Sequence, residues 1–204
     1  MSKNVNTHER TLRLVQMAFF AALIVVLQIV SYNVKIGTIS MSLVLIPIVI
    51  GGMTFGVSGG ALLGAIFGIV VYIACAIGLD TGGHVLFTVN PFITFALCVV
   101  KGAAAGALSS LVYKLFKKLF KNRVASSVFA AATAPIVNTS LFCLGMLLFF
   151  KDTLNTWSGG TNMVTYVFVV LIGLNFIVEF CLNVLIVPAL TAILSKTKQY
   201  KDRL

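Results

Sequence analysis

The chain has 204 residues, 59% of them hydrophobic and only 10% charged, with a mean hydropathy of +1.07. Soluble domains are about half apolar and a quarter charged, so this balance excludes a soluble globular protein. It leaves one integral membrane domain over 1–204, with short polar tails at about 1–11 and 195–204. The net charge of +10 does not call for nucleic acid, because all Lys and Arg except Lys35, Lys101 and Lys151 gather at the N-terminus, around 114–123 and at the C-terminus, as the cation excess of cytoplasmic loops predicts.

A spanning helix needs about twenty mostly apolar residues, and six segments qualify. The first covers 12–30, behind the polar MSKNVNTHERTLR whose Arg10 and Arg13 place its start inside. No A-x-A-like site ends a signal peptide there, so this helix is expected to stay in the mature protein. SYNVKIGTIS follows outside, as a short helix or a lid. The second segment covers 39–55 and contains Pro47, which removes a backbone hydrogen bond and is expected to kink it. After the cytoplasmic turn Gly56-Val57-Ser58-Gly59, the third runs to about 77 with Gly60, Gly64 and Gly68 along one face, flat enough for a close helix neighbour.

Residues 78–91, GLDTGGHVLFTVNP, interrupt the pattern on the outer side and end in Asn90-Pro91, which opens the fourth segment. That segment holds Lys101 deep among apolar residues and ends in Lys114, Lys117, Lys118, Lys121 and Arg123, a cytoplasmic cluster. The fifth covers 124–150, with Pro135 followed by Asn138 and Thr139. Residues 151–163, KDTLNTWSGGTNM, form a second external loop with the single tryptophan, Trp157. The sixth covers 164–194, too long for a straight perpendicular crossing and so tilted or projecting. An even number of spans puts both termini in the cytoplasm. The predicted fold is therefore an all-α membrane protein, a single bundle of six transmembrane helices.

A charge at mid-membrane depth costs about 2.5–3.5 kcal/mol on insertion scales, so Lys101 needs a partner, water or a ligand. In the sixth segment Asn175, Glu179 and Asn183 recur every four residues and make one stripe that drifts only about 40° per step. Lipid does not tolerate such a stripe, so it faces the bundle interior. Lys101, Asn138 and Asn175 each lie ten to twelve residues in from the outer helix ends, with Glu179 one turn deeper. Two readings stay open. These residues bind a polar molecule with carboxylate, hydroxyl or amide groups, or Lys101 and Glu179 neutralise each other while the asparagines tie helices together. Ala18 and Ala22 likewise either pack inside the bundle or dock another membrane subunit.

Enzyme chemistry finds no foothold. The chain has no GxxxxGK[ST] loop, no HExxH and no nucleophile elbow. His8 lies in the tail, His84 stands alone in a loop, and Asp80 and Asp152 sit in separate loops without carboxylate neighbours. Cys75, Cys98, Cys143 and Cys181 are scattered without metal-type spacing and read as small buried hydrophobes. Catalytic residues, metals and cofactors are not expected.

The Ala18 and Ala22 pair, the segment IPIVIGGMTFGVSGGALLGAIFGIVVYI over 46–73 and the VNPF start of the fourth helix resemble the substrate-binding S components of energy-coupling factor (ECF) vitamin transporters. The likeness extends over nearly the whole chain and its hairpin is most similar to the pantothenate-type branch. It implies a multi-pass protein of the bacterial cell membrane that captures a vitamin outside. The vitamin then passes inward with a coupling module of one transmembrane subunit and two ATPases. The resemblance implies that Ala18 and Ala22 dock on that subunit and that the ligand sits in the outward half. There it would be held around Lys101, Asn138, Asn175 and Glu179, with Asn90 and Trp157 on the outer loops over 78–91 and 151–163 that gate it. Pantothenate is the favoured ligand; riboflavin or folate, a self-contained secondary transporter and a membrane scaffold are the alternatives.

Overall fold

The computed structural model describes residues 7–33, 35–36, 39–40, 43–159, 162 and 173–196, with side chains at 10–32, 43–159, 162 and 176–196. Lys3, Lys198, Lys201, Arg203 and the first part of the sixth predicted segment lie outside the described residues. The elements in chain order are α1 Thr7–Asn33, β1 Lys35–Ile36, β2 Ile39–Ser40, α2 Leu45–Phe55, α3 Val57–Ala76, α4 Thr81–Val89, α5 Pro91–Phe120, α6 Arg123–Phe149, α7 Lys151–Ser158 and α8 Gly173–Leu194. The helices α1, α3, α5, α6 and α8 are each long and apolar enough to cross a membrane. Large apolar side chains such as Leu14, Phe19, Phe92, Leu119 and Leu185 point away from the bundle, as a lipid-facing surface requires.

The second segment departs from expectation. Its helix covers only Leu45–Phe55, 11 residues, or about 16 Å at 1.5 Å per residue, roughly half the bilayer's hydrocarbon core. Residues Ile39–Ser40, expected to open that helix, pair instead with Lys35–Ile36 as a two-residue antiparallel ribbon. Pro47 therefore sits in the first turn of α2, where its missing N–H has no intrahelical acceptor to lose, so it starts the helix and does not kink it. The helix ends at Gly56, whose φ of 83° favours glycine, and its last carbonyl, Phe55 O, accepts from the Arg13 guanidinium at 2.8 Å.

Although short, α2 is the most buried element, with ten of its residues inside the protein and contacts to α1, α3, α5, α6 and α8. Val44, Leu45, Ile48 and Val49 have no exposed surface, and they meet Ile24, Leu63, Tyr113, Ala130, Ala131, Ala134 and Val187 in the main apolar core. In lipid this core is held by close packing, since apolar surface gains little by leaving one hydrocarbon for another.

The glycine face of α3 finds its neighbour in α5, which supplies glycines of its own at the same spacing. A Cβ on Gly60 would strike the Gly106 carbonyl, one on Gly64 the Gly102 carbonyl, and one on Gly68 the Cys98 carbonyl. Gly102 and Gly106 are blocked reciprocally by the carbonyls of Gly64 and Gly60. The two backbones are thus in direct contact over two helical turns, with Ser110 Oγ donating to Gly106 O at the lower end.

The α5–α6 hairpin closes through Lys121, whose φ of 52° is left-handed and whose N–H bonds Lys117 O. Asn122 then caps α6 by accepting from Val124 and Ala125 N–H at 3.0 and 3.2 Å. The basic cluster expected at this turn is thereby placed at the same end of the bundle as Arg13, the C-terminus of α2 and Lys196 after α8.

Candidate functional site

Beyond α2 the long helices continue without a central partner, and the space between them is a cavity of about 460 Å³. Its position follows from the register of each wall. On α3 the core runs from Leu63 through Phe67 and Val71 to Cys75, and the last three of these also line the cavity; on α6 the core uses Ala130, Ala131 and Ala134 and the cavity Asn138, Thr139 and Phe142. On α8 the core takes Val187 while the cavity takes Phe176, Val178, Glu179 and Leu182. The short α2 fills one half of the bundle interior and leaves the other half hollow. The volume falls within the roughly 300–1,000 Å³ of small-molecule sites.

The two outer segments expected as loops each contain a short helix that lies over this hollow. Asp80 opens α4 by accepting from Gly83 N–H at 3.0 Å, the ordinary N-cap geometry. His84, expected as an ordinary loop residue, bonds the Cys75 carbonyl through Nδ1 at 2.8 Å and so ties α4 to the end of α3. On α7, Leu154 is fully buried with Leu86, Cys143, Met146 and Phe150 in a second, smaller apolar cluster. Trp157 packs at its edge and reaches Gly82 at the start of α4, within 3.9 Å of where a Cβ would stand.

Of the residues singled out from the sequence, Lys101, Asn138, Glu179 and Trp157 all line the cavity. Asn90 does not. Its side chain accepts from Ile93 N–H at 3.1 Å and caps α5, ahead of Pro91 at the first helical position, which is the job an Asn-Pro pair at a helix start performs. Asn175 lies in the first turn of α8, with its side chain outside the described ones. Ala18 and Ala22 are exposed on the outer face of α1 beside Leu14, Val15 and Phe19, so packing inside the bundle does not account for them.

Lys101 emerges from α5 one residue before Gly102, so the glycine seam fixes its height and direction. Its ammonium lies 4.8 Å from the centroid of the Phe142 ring. A cation–π contact contributes about 0.5–2 kcal/mol, less than the roughly 2.5–3.5 kcal/mol that the charge costs at this depth. The carboxylates of Glu179 and Asp80 share the same cavity, and Asn183 binds back from one turn below, its Nδ2 donating to Glu179 O at 2.9 Å.

Sequence reasoning missed the α1 wall. Gln28 and Tyr32 also line the cavity, and Gln28 Oε1, the Tyr32 hydroxyl and Asn138 Oδ1 are buried with no hydrogen-bond partner among the described residues. The signal was available: Gln28 and Tyr32 are four residues apart at the end of an apolar segment, the same spacing that marked Asn175 and Glu179. Ending the first segment at residue 30 cut the pair in two.

The site is a half-apolar, half-polar chamber with one cation, two carboxylates and several amide and hydroxyl groups, closed over by two short helices. It can hold a small polar molecule. Comparison with known proteins agrees. The family described as "ECF transporter, substrate-specific component" matches residues 12–191. The pantothenic acid transporter PanT of Lactococcus lactis subsp. cremoris (strain MG1363) is 24% identical over 193 residues, covering 89% of this chain and 93% of that protein. The chain belongs to the substrate-specific components of ECF transporters, and is a membrane transporter subunit and not an enzyme.

Proposed function

We propose that the protein captures pantothenate from outside a bacterial cell and delivers it inward as the substrate-binding subunit of an ATP-driven importer. The observation that carries this reading is the cavity itself, which is lined by Lys101 together with the Glu179 and Asp80 carboxylates and several amides and hydroxyls, at the end of the bundle away from the basic cluster. By the positive-inside rule that cluster is cytoplasmic, so both termini face the cytoplasm, the cavity opens outward, and α2 is a sixth membrane segment that stops half way. Pantothenate carries one carboxylate, one amide and two hydroxyls. Lys101 pairs with the carboxylate, supplying the stabilisation that Phe142 alone does not, while Glu179 accepts from hydroxyls and Asn138 serves the amide. The relationship to a pantothenic acid transporter supports the same ligand.

Trp157 on α7 and the segment through α4 close the chamber after entry. Energy comes from elsewhere, since the sequence has no ATP-binding motif: a coupling module of one transmembrane subunit and two ATPases docks on the exposed Ala18 and Ala22 face of α1. Uptake of radiolabelled pantothenate in a host with and without the coupling ATPases tests the division of labour. Uptake that persists without them would show a self-contained transporter. Purified protein that binds riboflavin or folate, and not pantothenate, would move the assignment to that vitamin.

A further inference from the structure

We infer that the end of α1 is part of the ligand site, with Gln28 Oε1 and the Tyr32 hydroxyl receiving hydrogen-bond donors from the bound molecule alongside Asn138 Oδ1. This rests on the reading of the cavity as a vitamin site. Gln28 is only 6% exposed, and among the described residues its carbonyl oxygen, the neighbouring Tyr32 hydroxyl and Asn138 Oδ1 make no hydrogen bond of good geometry, Gln28 and Tyr32 standing close enough only to interact weakly with each other. A buried polar atom left without a partner costs about 1–3 kcal/mol, and native proteins leave few of them. Here three residues that carry such atoms, from α1 and α6, line a single cavity.

Asn183 provides the contrast. Its Oδ1 is also without a partner among the described residues, but it is fully buried below the cavity and its Nδ2 is engaged with Glu179 O. Asn183 does not line the cavity, whereas Gln28, Tyr32 and Asn138 do, their unmet atoms lying just behind its surface. An amide oxygen is an acceptor only, so the molecule that satisfies Gln28 must bring an O–H or N–H there. The site thereby sorts ligands by two rules: an acid at Lys101, and donors at the α1 and α6 walls. A site built to bond a hydroxyl rejects an analogue lacking it more strongly than an apolar pocket rejects an extra group.

The test compares Gln28→Leu and Tyr32→Phe with the unmodified protein, reading both the thermal midpoint without ligand and the dissociation constant for pantothenate. Loss of an unmet buried polar group leaves the ligand-free midpoint unchanged or higher, while affinity falls about tenfold, which is about 1.4 kcal/mol. Pantothenate methylated at its hydroxyls then binds both proteins equally. Affinity that is unchanged in Tyr32→Phe and Gln28→Leu, with the unmodified protein binding normally, overturns the inference and leaves the cavity assignment intact. A lowered midpoint with affinity preserved assigns the two residues to packing and overturns it as well. If the unmodified protein binds a different vitamin, the comparison is run with that vitamin and read the same way; if it binds none of pantothenate, riboflavin and folate, both readings fall.

Discussion

The two halves of the α3–α5 pair do opposite things with the same backbone. Over the turns where Gly60, Gly64 and Gly68 meet Gly106, Gly102 and Cys98 each glycine faces a backbone carbonyl of the other helix, with the small Ser110 hydroxyl beside Gly60. Beside this seam and outward from it, Phe67, Val71 and Cys75 of α3 and Thr94, Leu97, Cys98 and Lys101 of α5 line a cavity of about 460 Å³. The seam is a fixed spine, and the spine is what holds a costly charge at a defined height. Close packing and open space are therefore adjacent in sequence: Gly102 packs against α3 while its neighbour Lys101 lines the cavity.

The comparison is broken most severely at the seam. In Gly64→Ala the new Cβ meets the Gly102 carbonyl, and the obstacle is backbone that cannot rotate away. Overpacking of this kind costs about 1–3 kcal/mol, so the thermal midpoint in detergent should fall sharply. Ligand affinity should fall with it, because Lys101 moves with α5. A midpoint within a degree of the unmodified protein would show that the seam is not rigid.

At the cavity the expected order is reversed, with binding lost and stability kept. Lys101→Met removes a charge-assisted contact worth about 1.5–3 kcal/mol, so pantothenate affinity should fall roughly tenfold to a hundredfold. The midpoint should hold or rise, since a membrane charge that Phe142 only partly offsets is gone. Calorimetric titration and a thermal ramp on the same preparation decide it. A fall in midpoint with affinity intact would instead make Lys101 a structural partner of Glu179.

A smaller effect belongs to the covering helices. Trp157→Ala opens the edge between α7 and the start of α4, and stopped-flow release should quicken by about tenfold while the association rate changes little, because affinity differences among related complexes lie mainly in dissociation. The smallest effect on the isolated protein belongs to the outer face of α1. Both Ala18 and Ala22 are exposed, so Ala18→Leu with Ala22→Leu should leave stability within about 0.5 kcal/mol and binding unchanged. Transport in membranes containing the coupling module should nonetheless be lost. Loss of binding in detergent would contradict the docking role.

The helical frame was legible because its signals are strong: long apolar runs, the four-residue glycine spacing and the basic cluster at the α5–α6 turn. Depth counting from the helix ends also grouped Lys101, Asn138 and Asn175, with Glu179 one turn deeper; Lys101, Asn138 and Glu179 line the cavity, and the side chain of Asn175 lies outside the described ones. Hydropathy gave no warning of α4 and α7, since short helices over a cavity are made of the same polar residues as loops. In α4 the clue was Asp80 three residues before Gly83, a local cap that apolar windows ignore. The half-length of α2 was hidden because an apolar run of 39–55 scores alike whether it is one helix or a strand, a turn and a helix. Asn90 shows the converse, a polar residue near the cavity whose side chain caps the backbone of α5 through Ile93 N–H.

The most direct test of the central claim is a calorimetric titration of the purified protein with pantothenate and, separately, with pantothenol, in which an alcohol replaces the carboxylate. The account predicts saturable binding of pantothenate at one site per chain, with pantothenol at least tenfold weaker because Lys101 has no anion to pair with. Equal affinity for the two, or no binding of either, would contradict it.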